Sequence, residues 1–333
     1  MDFTLTDEQQ MLRDTARTLL AKECPTALVR AHIEDPSVAD ALWLRLADFA
    51  PLAAGPLSDL CLFVEETGYV AAPGPFFATT ALFASVLAAA GDDRAQAAQA
   101  GEITGTVALA GVDGVWRPND DPVKCFVPEA DRVDWVAVVE PGPTVRVVPP
   151  AVLSTRLLNT VDWSRRLFEV EVADVDEAST PIDGAALERA VRCAIVALAA
   201  EQVGTARRLF DMALEYAKQR VQFDHPIGSF QAIQHRLADL SLAVERADAA
   251  AQYAAMTVDA DHDDARRAAH VAKAAAGTAA TRAAKDSIQV HGGIGYTWEH
   301  DLHLFIRRAY GAEAWLGTTG WHHDQLAALL FDA

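Results

Sequence analysis

The hydrophobic pattern changes period twice along the chain. Near the start, Leu12, Ala16, Leu19 and Leu20 recur at helical spacing, which predicts an amphipathic helix. Thr6 followed by Gln9 reads as a capping box that opens it, and the helix is expected to run to about Lys22. Further helices are predicted from Asp40 to Phe49 with Trp43 inward, from a Ser58 cap to Val70, from Phe76 to Ala90 and from Asp92 to Ala100. Pro73-Gly-Pro75 punctuates this region.

The period then shortens. Ile103 to Ala110, Val123 to Val127, Val133 to Val139, Thr144 to Val148 and Leu167 to Val172 are short β-branched runs separated by Pro, Gly and Asp, the signature of a small antiparallel β unit. Helical spacing returns at Asp183 or Gly184 and continues to about Gln219. Its apolar face includes Leu187, Val191, Ile195, Leu198, Leu209 and Met212. Gly204 inside it points to a close helix crossing. Two more long helices, about Phe230 to Val258 and Ala265 to Val290, flank an acidic connector, Asp259 to Asp264, read as a solvated turn; shorter helices follow Thr297 and Thr318. Long helices with short connections imply an antiparallel bundle. The predicted architecture is α+β, mostly α: an N-terminal helical domain (1–101), a small middle β domain (102–178) and a C-terminal four-helix bundle (179–333).

Composition narrows the chemistry. The chain has 333 residues, is half hydrophobic and carries a formal charge of −19, which argues against a nucleic-acid partner or an anionic membrane surface. No run reaches the ~20 apolar residues of a membrane helix, and the acidic start does not read as a signal peptide. Cys24, Cys61, Cys125 and Cys193 are scattered with no zinc-like or disulfide-framework spacing, so a reducing, cytoplasmic setting is expected. The pair Glu65-Glu66 reads as a solvated helix face. His291 adjoins a diglycine, and His300, His303, His322 and His323 read as surface histidines without a convergent metal set.

Two stretches carry candidate chemistry. The first is Arg220-Val-Gln-Phe-Asp-His-Pro-Ile-Gly-Ser-Phe-Gln231, a helix–helix turn with Ser229 as the expected N-cap of the following helix. Arg220 offers a fork of donors suited to phosphate oxygens, Phe223 a flat apolar face, and Gln231 a combined donor and acceptor. The second is Gln289-Val-His-Gly-Gly-Ile-Gly-Tyr296, where Gly292 and Gly293 let a backbone approach a ligand closely.

Together, R-x-x-F…F-Q and Q-x-x-G-G-x-G-[YF] resemble the acyl-CoA dehydrogenase family of flavoproteins over about 150 residues, from Ala185 to Thr318, and more weakly at the N-terminal helices. The resemblance implies FAD as cofactor. It implies that Arg220, Phe223, Phe230, Gln231, Gln289, Gly292 and Gly293 grip the adenosine and pyrophosphate end of an FAD held mainly by a neighbouring subunit, and it adds Thr318 to the cofactor-binding set. It also implies an acyl-CoA substrate and an electron-transfer flavoprotein as acceptor.

The chain departs from this family where the chemistry should be. The T-E-P-x-x-G-S-D strand is replaced by Val107-Ala-Leu-Ala-Gly-Val-Asp-Gly114, and the W-[IV]-[ST]-N-type segment by Val123-Lys-Cys-Phe-Val-Pro128. The glutamate base of a [YF]-E-G-[TS] segment is matched by Trp315-Leu-Gly-Thr318, so its place is taken by Leu316, which cannot accept a proton. An alternative base position on the long helix holds Ala194, and the substrate-binding arginine is matched by His323. No catalytic residue is assigned. The resulting expectation is a non-catalytic subunit of an α2β2 acyl-CoA dehydrogenase, a type known for steroid side-chain thioesters, whose homologous partner supplies the glutamate. The alternatives are a self-sufficient dehydrogenase using Glu313 as base and a flavin-free assembly or binding protein.

Overall fold

The computed structural model describes residues 3–171 and 178–331; Val172, expected at the end of a strand, lies outside them. The first helix, α1 (Asp7–Glu23), opens on the anticipated capping box, with Gln9 N donating to Thr6 Oγ1 and Thr6 N to Gln9 Oε1, each at 3.2 Å. A helix that the periodicity missed follows, α2 (Thr26–Glu34), and then α3 (Val38–Leu46), which starts two residues before the expected Asp40 and gives way to a 3-10 segment, Ala47–Ala54. Trp43 is half-buried against the core.

The helix α4 (Leu57–Val70) is not capped by Ser58. Its first amides instead donate to the Asp259 carboxylate, Leu57 N at 2.6 Å and Ser58 N at 3.0 Å. Asp259 is exposed, as expected of the acidic connector, but it ends a later helix and its carboxylate closes the first turn of one distant in sequence, where it meets the positive end of the dipole. The apolar segment after Pro75 is helical as expected. It contains a π-helical stretch, Ala78–Phe83, that runs into α5 (Ala84–Ala90), and α6 (Arg94–Gln99) follows.

The β region is two small sheets. One has the order β1-β3-β4-β7, from β1 (Gly105–Ala108), β3 (Trp135–Glu140), β4 (Thr144–Val148) and β7 (Thr180–Pro181); the other is β2-β6-β5, from β2 (Val123–Pro128), β5 (Ser154–Leu157) and β6 (Leu167–Glu171). The all-antiparallel expectation is corrected at one edge, where β1 pairs with β3 in parallel, Val107 opposite Ala137. The strands β5 and β7 were missed: Ser154–Leu157 is largely exposed and Thr180–Pro181 holds two residues, so neither carries an apolar run. Ala108, Val127, Val136, Val138, Phe168 and Val170 form the core of this unit.

The helix α7 (Gly184–Gln219) is capped by Asp183, whose side chain accepts from Ala186 N. The helices α8 (Gln231–Asp259) and α9 (Ala265–His291) pack on it, with α10 (Leu302–Ala314) and α11 (Thr319–Phe331) against the α9 side. At the start of α8, Phe230 rather than Ser229 is the N-cap, and Ser229 Oγ donates to Pro226 O. The α4–α7 crossing is as extensive as the α8–α9 contact within the bundle, and it ties the N-terminal helices to it. No helix among the described residues is long and apolar enough to cross a membrane, and the four cysteines are free.

Candidate functional site

The two motif-bearing stretches converge at one end of the bundle. Between α7 and α8 the chain makes a tight hairpin, β8 (Val221–Gln222) and β9 (His225–Pro226). Phe223 and Asp224 at its tip both have left-handed backbone, φ +54° and +64°, a turn that favours Asn-Gly. Such strain persists where surrounding structure enforces it. Its effect here is to project Phe223, 86% exposed, with Phe230 edge-on at 6.3 Å. Arg220 and Gln231 are exposed beside it.

The end of α9 docks onto the same place. Val290 joins Ala213, Ala217 and Leu237 in one apolar cluster. His291, which is buried, stacks on Tyr216 at 4.4 Å and its Nδ1 donates to Ser287 O at 2.8 Å. It therefore serves as a packing element. Gln289 is exposed, and Gly292 (φ +59°) and Gly293 have nothing within 4 Å of where a Cβ would stand. An exposed guanidinium, an aromatic face, two amide side chains and an unobstructed diglycine backbone suit the phosphate and ring of a dinucleotide.

Thr318 lies elsewhere. Thr319 adjoins Gly277 of α9, about 21 Å of helix axis from His291. Thr318 lines a different cavity, of about 480 Å3, between the sheets and the α10–α11 turn, whose walls include Trp116, Phe126, Tyr310, Trp315, Leu316 and Trp321. Leu316 is 2% exposed with φ +57°, a costly backbone for a leucine. The turn is held from behind. Lys273 Nζ, fully buried, donates to Glu313 O and Gly317 O at 3.0 Å each, and burial pushes the amine down to about 7. His322 Nε2 donates to Leu316 O at 3.1 Å, which leaves its Nδ1 to accept from His270 Nδ1–H at 2.8 Å. His322, expected at the surface, is therefore a core residue. His270, drawn from α9, is its missed partner.

Glu313 does not serve this cavity. Its carboxylate accepts from Thr319 N at 2.8 Å and so fixes the start of α11. His323 is exposed and Ala194 is fully buried.

Behind Trp315 the interior is filled with charge. Arg165 and Arg308 both bond the Glu201 carboxylate, Arg308 Nη1 at 2.7 Å. Arg308 Nε also meets Asp162 at 2.9 Å, and the Arg165 guanidinium lies 4.5 Å from the Trp315 ring. Burial pushes Glu201 up, and the two guanidinium groups overcome this and hold it below the usual carboxylate range. Only about 20 Å3 remains open there, lined also by Glu129 and Phe77. Glu129 is buried in left-handed backbone (φ +53°), and burial pushes it up to about 7.

Two more carboxylates correct the sequence reading. Glu65 and Glu66 are 6% and 2% exposed, not solvated: Glu65 pairs with Arg207, and Glu66 with Arg17 at 2.8 Å. A legible signal existed for Lys273, which sits at the i+4 position from Ala269 and i−3 from Ala276 on the apolar face of α9.

Residues 189–331 match the family described as acyl-CoA dehydrogenase, C-terminal domain. Acyl-CoA dehydrogenase IpdE2 of Mycobacterium tuberculosis is 36% identical over 93% of this chain and 93% of its own. The chain belongs to the acyl-CoA dehydrogenase family. Its fold is shared with the ChsE4-ChsE5 complex of Mycobacterium tuberculosis, at TM-score 0.86 with 23% identity over the whole of both chains. The Tcur3481-Tcur3483 steroid acyl-CoA dehydrogenase, a G363A variant, gives TM-score 0.87 with 25% identity over 99% of both. Members of this family are FAD-dependent oxidoreductases.

Proposed function

We propose that this chain is the non-catalytic subunit of a heteromeric, FAD-dependent acyl-CoA dehydrogenase. The carrying observation is the contrast between two ends of the molecule. At the α10–α11 turn, where the family resemblance expects a carboxylate, Leu316 is buried in an apolar wall, and the space behind Trp315 is occupied by the Arg165–Glu201–Arg308 cluster. At the other end, Arg220, Phe223, Phe230, Gln231, Gln289, Gly292 and Gly293 face outward and unobstructed.

The outward set fits the adenosine and pyrophosphate part of FAD: Arg220 would hold a phosphate oxygen, and the open backbone at Gly292 and Gly293 would admit the cofactor without steric cost. FAD supplies the hydride acceptor for α,β-dehydrogenation of a thioester. This chain's residues hold the cofactor's end and complete the assembly, while a homologous partner supplies the glutamate that takes the α-proton. Two structural neighbours are named for two components, one of them a steroid acyl-CoA dehydrogenase, which supports an α2β2 arrangement acting on a steroid side-chain or fatty acyl-CoA. An electron-transfer flavoprotein is the acceptor in this reading, and the compartment is cytoplasmic.

The test is purification of the chain alone. The expected product is colourless and inactive toward acyl-CoA thioesters, and it joins a yellow, active complex with fewer flavins than chains when mixed with a glutamate-bearing homologue. Stoichiometric FAD and turnover in the lone chain would overturn the reading.

A further inference from the structure

A cavity of about 620 Å3 opens between the N-terminal segment, α4 and α8, and shares no lining residue with the one around Leu316. Its volume is typical of a small-molecule site. Much of its wall is apolar, from Phe3, Leu5, Leu62, Ala251, Ala255 and Met256. The ring of Phe3 stacks on Tyr253 at 6.4 Å, which holds the segment Phe3–Thr6 in place as one side of the cavity.

Among the described residues, the charge lining this space has one sign. Glu65, Asp248 and Asp259 line it. Arg207 meets Glu65 Oε1 and lies 3.5 Å from Asp248; Arg13 also acts on Glu65. Neither arginine lines the cavity. The Asp259 carboxylate is engaged by the amides of Leu57 and Ser58, and Asp248 also accepts from Gln252. Among the described residues no hydrogen bond other than that from Arg207 reaches the Glu65 carboxylate, although the residue is 6% exposed. A buried carboxylate with spare acceptor capacity attracts a donor cation. Metal binding is disfavoured because no cluster of three ligating side chains exists among the described residues, and the carboxylates repel an anion.

We propose that this cavity binds an aliphatic ammonium ion, its hydrocarbon tail among Leu5, Leu62, Ala251, Ala255 and Met256 and its nitrogen at Glu65 and Asp248. The apolar wall selects for the tail. The excess of carboxylates selects for the charge.

The test is isothermal titration of n-hexylammonium chloride, 1-hexanol and sodium hexanoate into the full chain, alone and in its assembly. The expected result is saturable, one-to-one binding of hexylammonium and none of hexanoate. Glu65→Gln should weaken hexylammonium binding tenfold or more and leave hexanol unchanged. Met256→Trp, which narrows the cavity from a half-buried position of the same wall without touching the charges, should weaken both and keeps the test valid where Glu65→Gln fails to fold. Absence of saturable amine binding, hexanoate binding as tightly as the amine, or amine affinity unaltered by either variant would overturn the proposal. None of these outcomes bears on the FAD reading, which concerns other residues.

Discussion

Gly68 and Gly204 let the backbones of α4 and α7 touch. A Cβ at Gly204 would stand 1.8 Å from Glu65 O, and one at Gly68 2.0 Å from Glu201 O. Thr205 Oγ1 spans the same crossing to Gly68 O at 3.1 Å. The contact brings the carboxylate-bearing turns of both helices into the core, where each carboxylate then requires an arginine.

Gly204→Ala should therefore destabilise the chain by about 3 kcal/mol or prevent folding, because backbone rather than a movable side chain blocks the new methyl group. Thermal unfolding of the purified variant measures this. A change within 0.5 kcal/mol would show that the two helices separate easily.

Arg220→Ala should lower the flavin content of the assembled complex without altering the chain's own stability, since Arg220 is exposed at the end of α7. A hydrogen bond to a charged group contributes about 1.5–3 kcal/mol, so FAD affinity should fall by roughly one to two orders of magnitude. Flavin absorbance against protein concentration, after dialysis, gives the result.

Leu316→Glu should not create activity in the lone chain. The new carboxylate would enter an apolar wall beside Phe126 and Trp315, and unfolding stability should drop by about 2 kcal/mol or more. Turnover of acyl-CoA thioesters by this variant alone would show that the chamber retains a working geometry.

The His270–His322 pair should make the chain acid-sensitive. Burial holds His270 down at about 4; burial, followed by Lys273, holds His322 down at about 3. A folded-state value below the unfolded 6.5 means that stability present above 6.5 is lost as pH falls toward these values. Glu65 and Glu129, raised by burial to about 7, act oppositely and lose their stabilising effect as pH rises from 4.5 to 7. The pair is therefore read as the difference between parent and His322→Gln in urea unfolding at pH 7 and pH 4. The variant should recover on the order of 3 kcal/mol of the acid loss.

The long helices were legible because their apolar faces repeat without interruption, as in α7 from Leu187 to Met212, and the capping box at Thr6 is a local signal that no tertiary contact overrides. The α4 cap was not legible, because Asp259 acts from the far end of α8. The buried pairs of Glu65, Glu66 and Glu201 were hidden for a related reason: sequence places a carboxylate on a helix face, but only a crossing helix decides whether that face meets water. The candidate cofactor set came from the family resemblance of two short motifs, and the structure shows only that most of its members lie together and outward at one end of the bundle. The geometry adds that Phe223 is exposed by a strained turn, and that Thr318 stands apart from the rest.

The carboxylate of Asp259 has a consequence for how the molecule can be divided. It terminates α8, yet it closes the first turn of α4, so the N-terminal helices take one of their caps from the bundle. A recombinant piece that stops before α8 would lack this cap and the packing of α8 on α4, and should unfold more readily than the same helices in the whole chain.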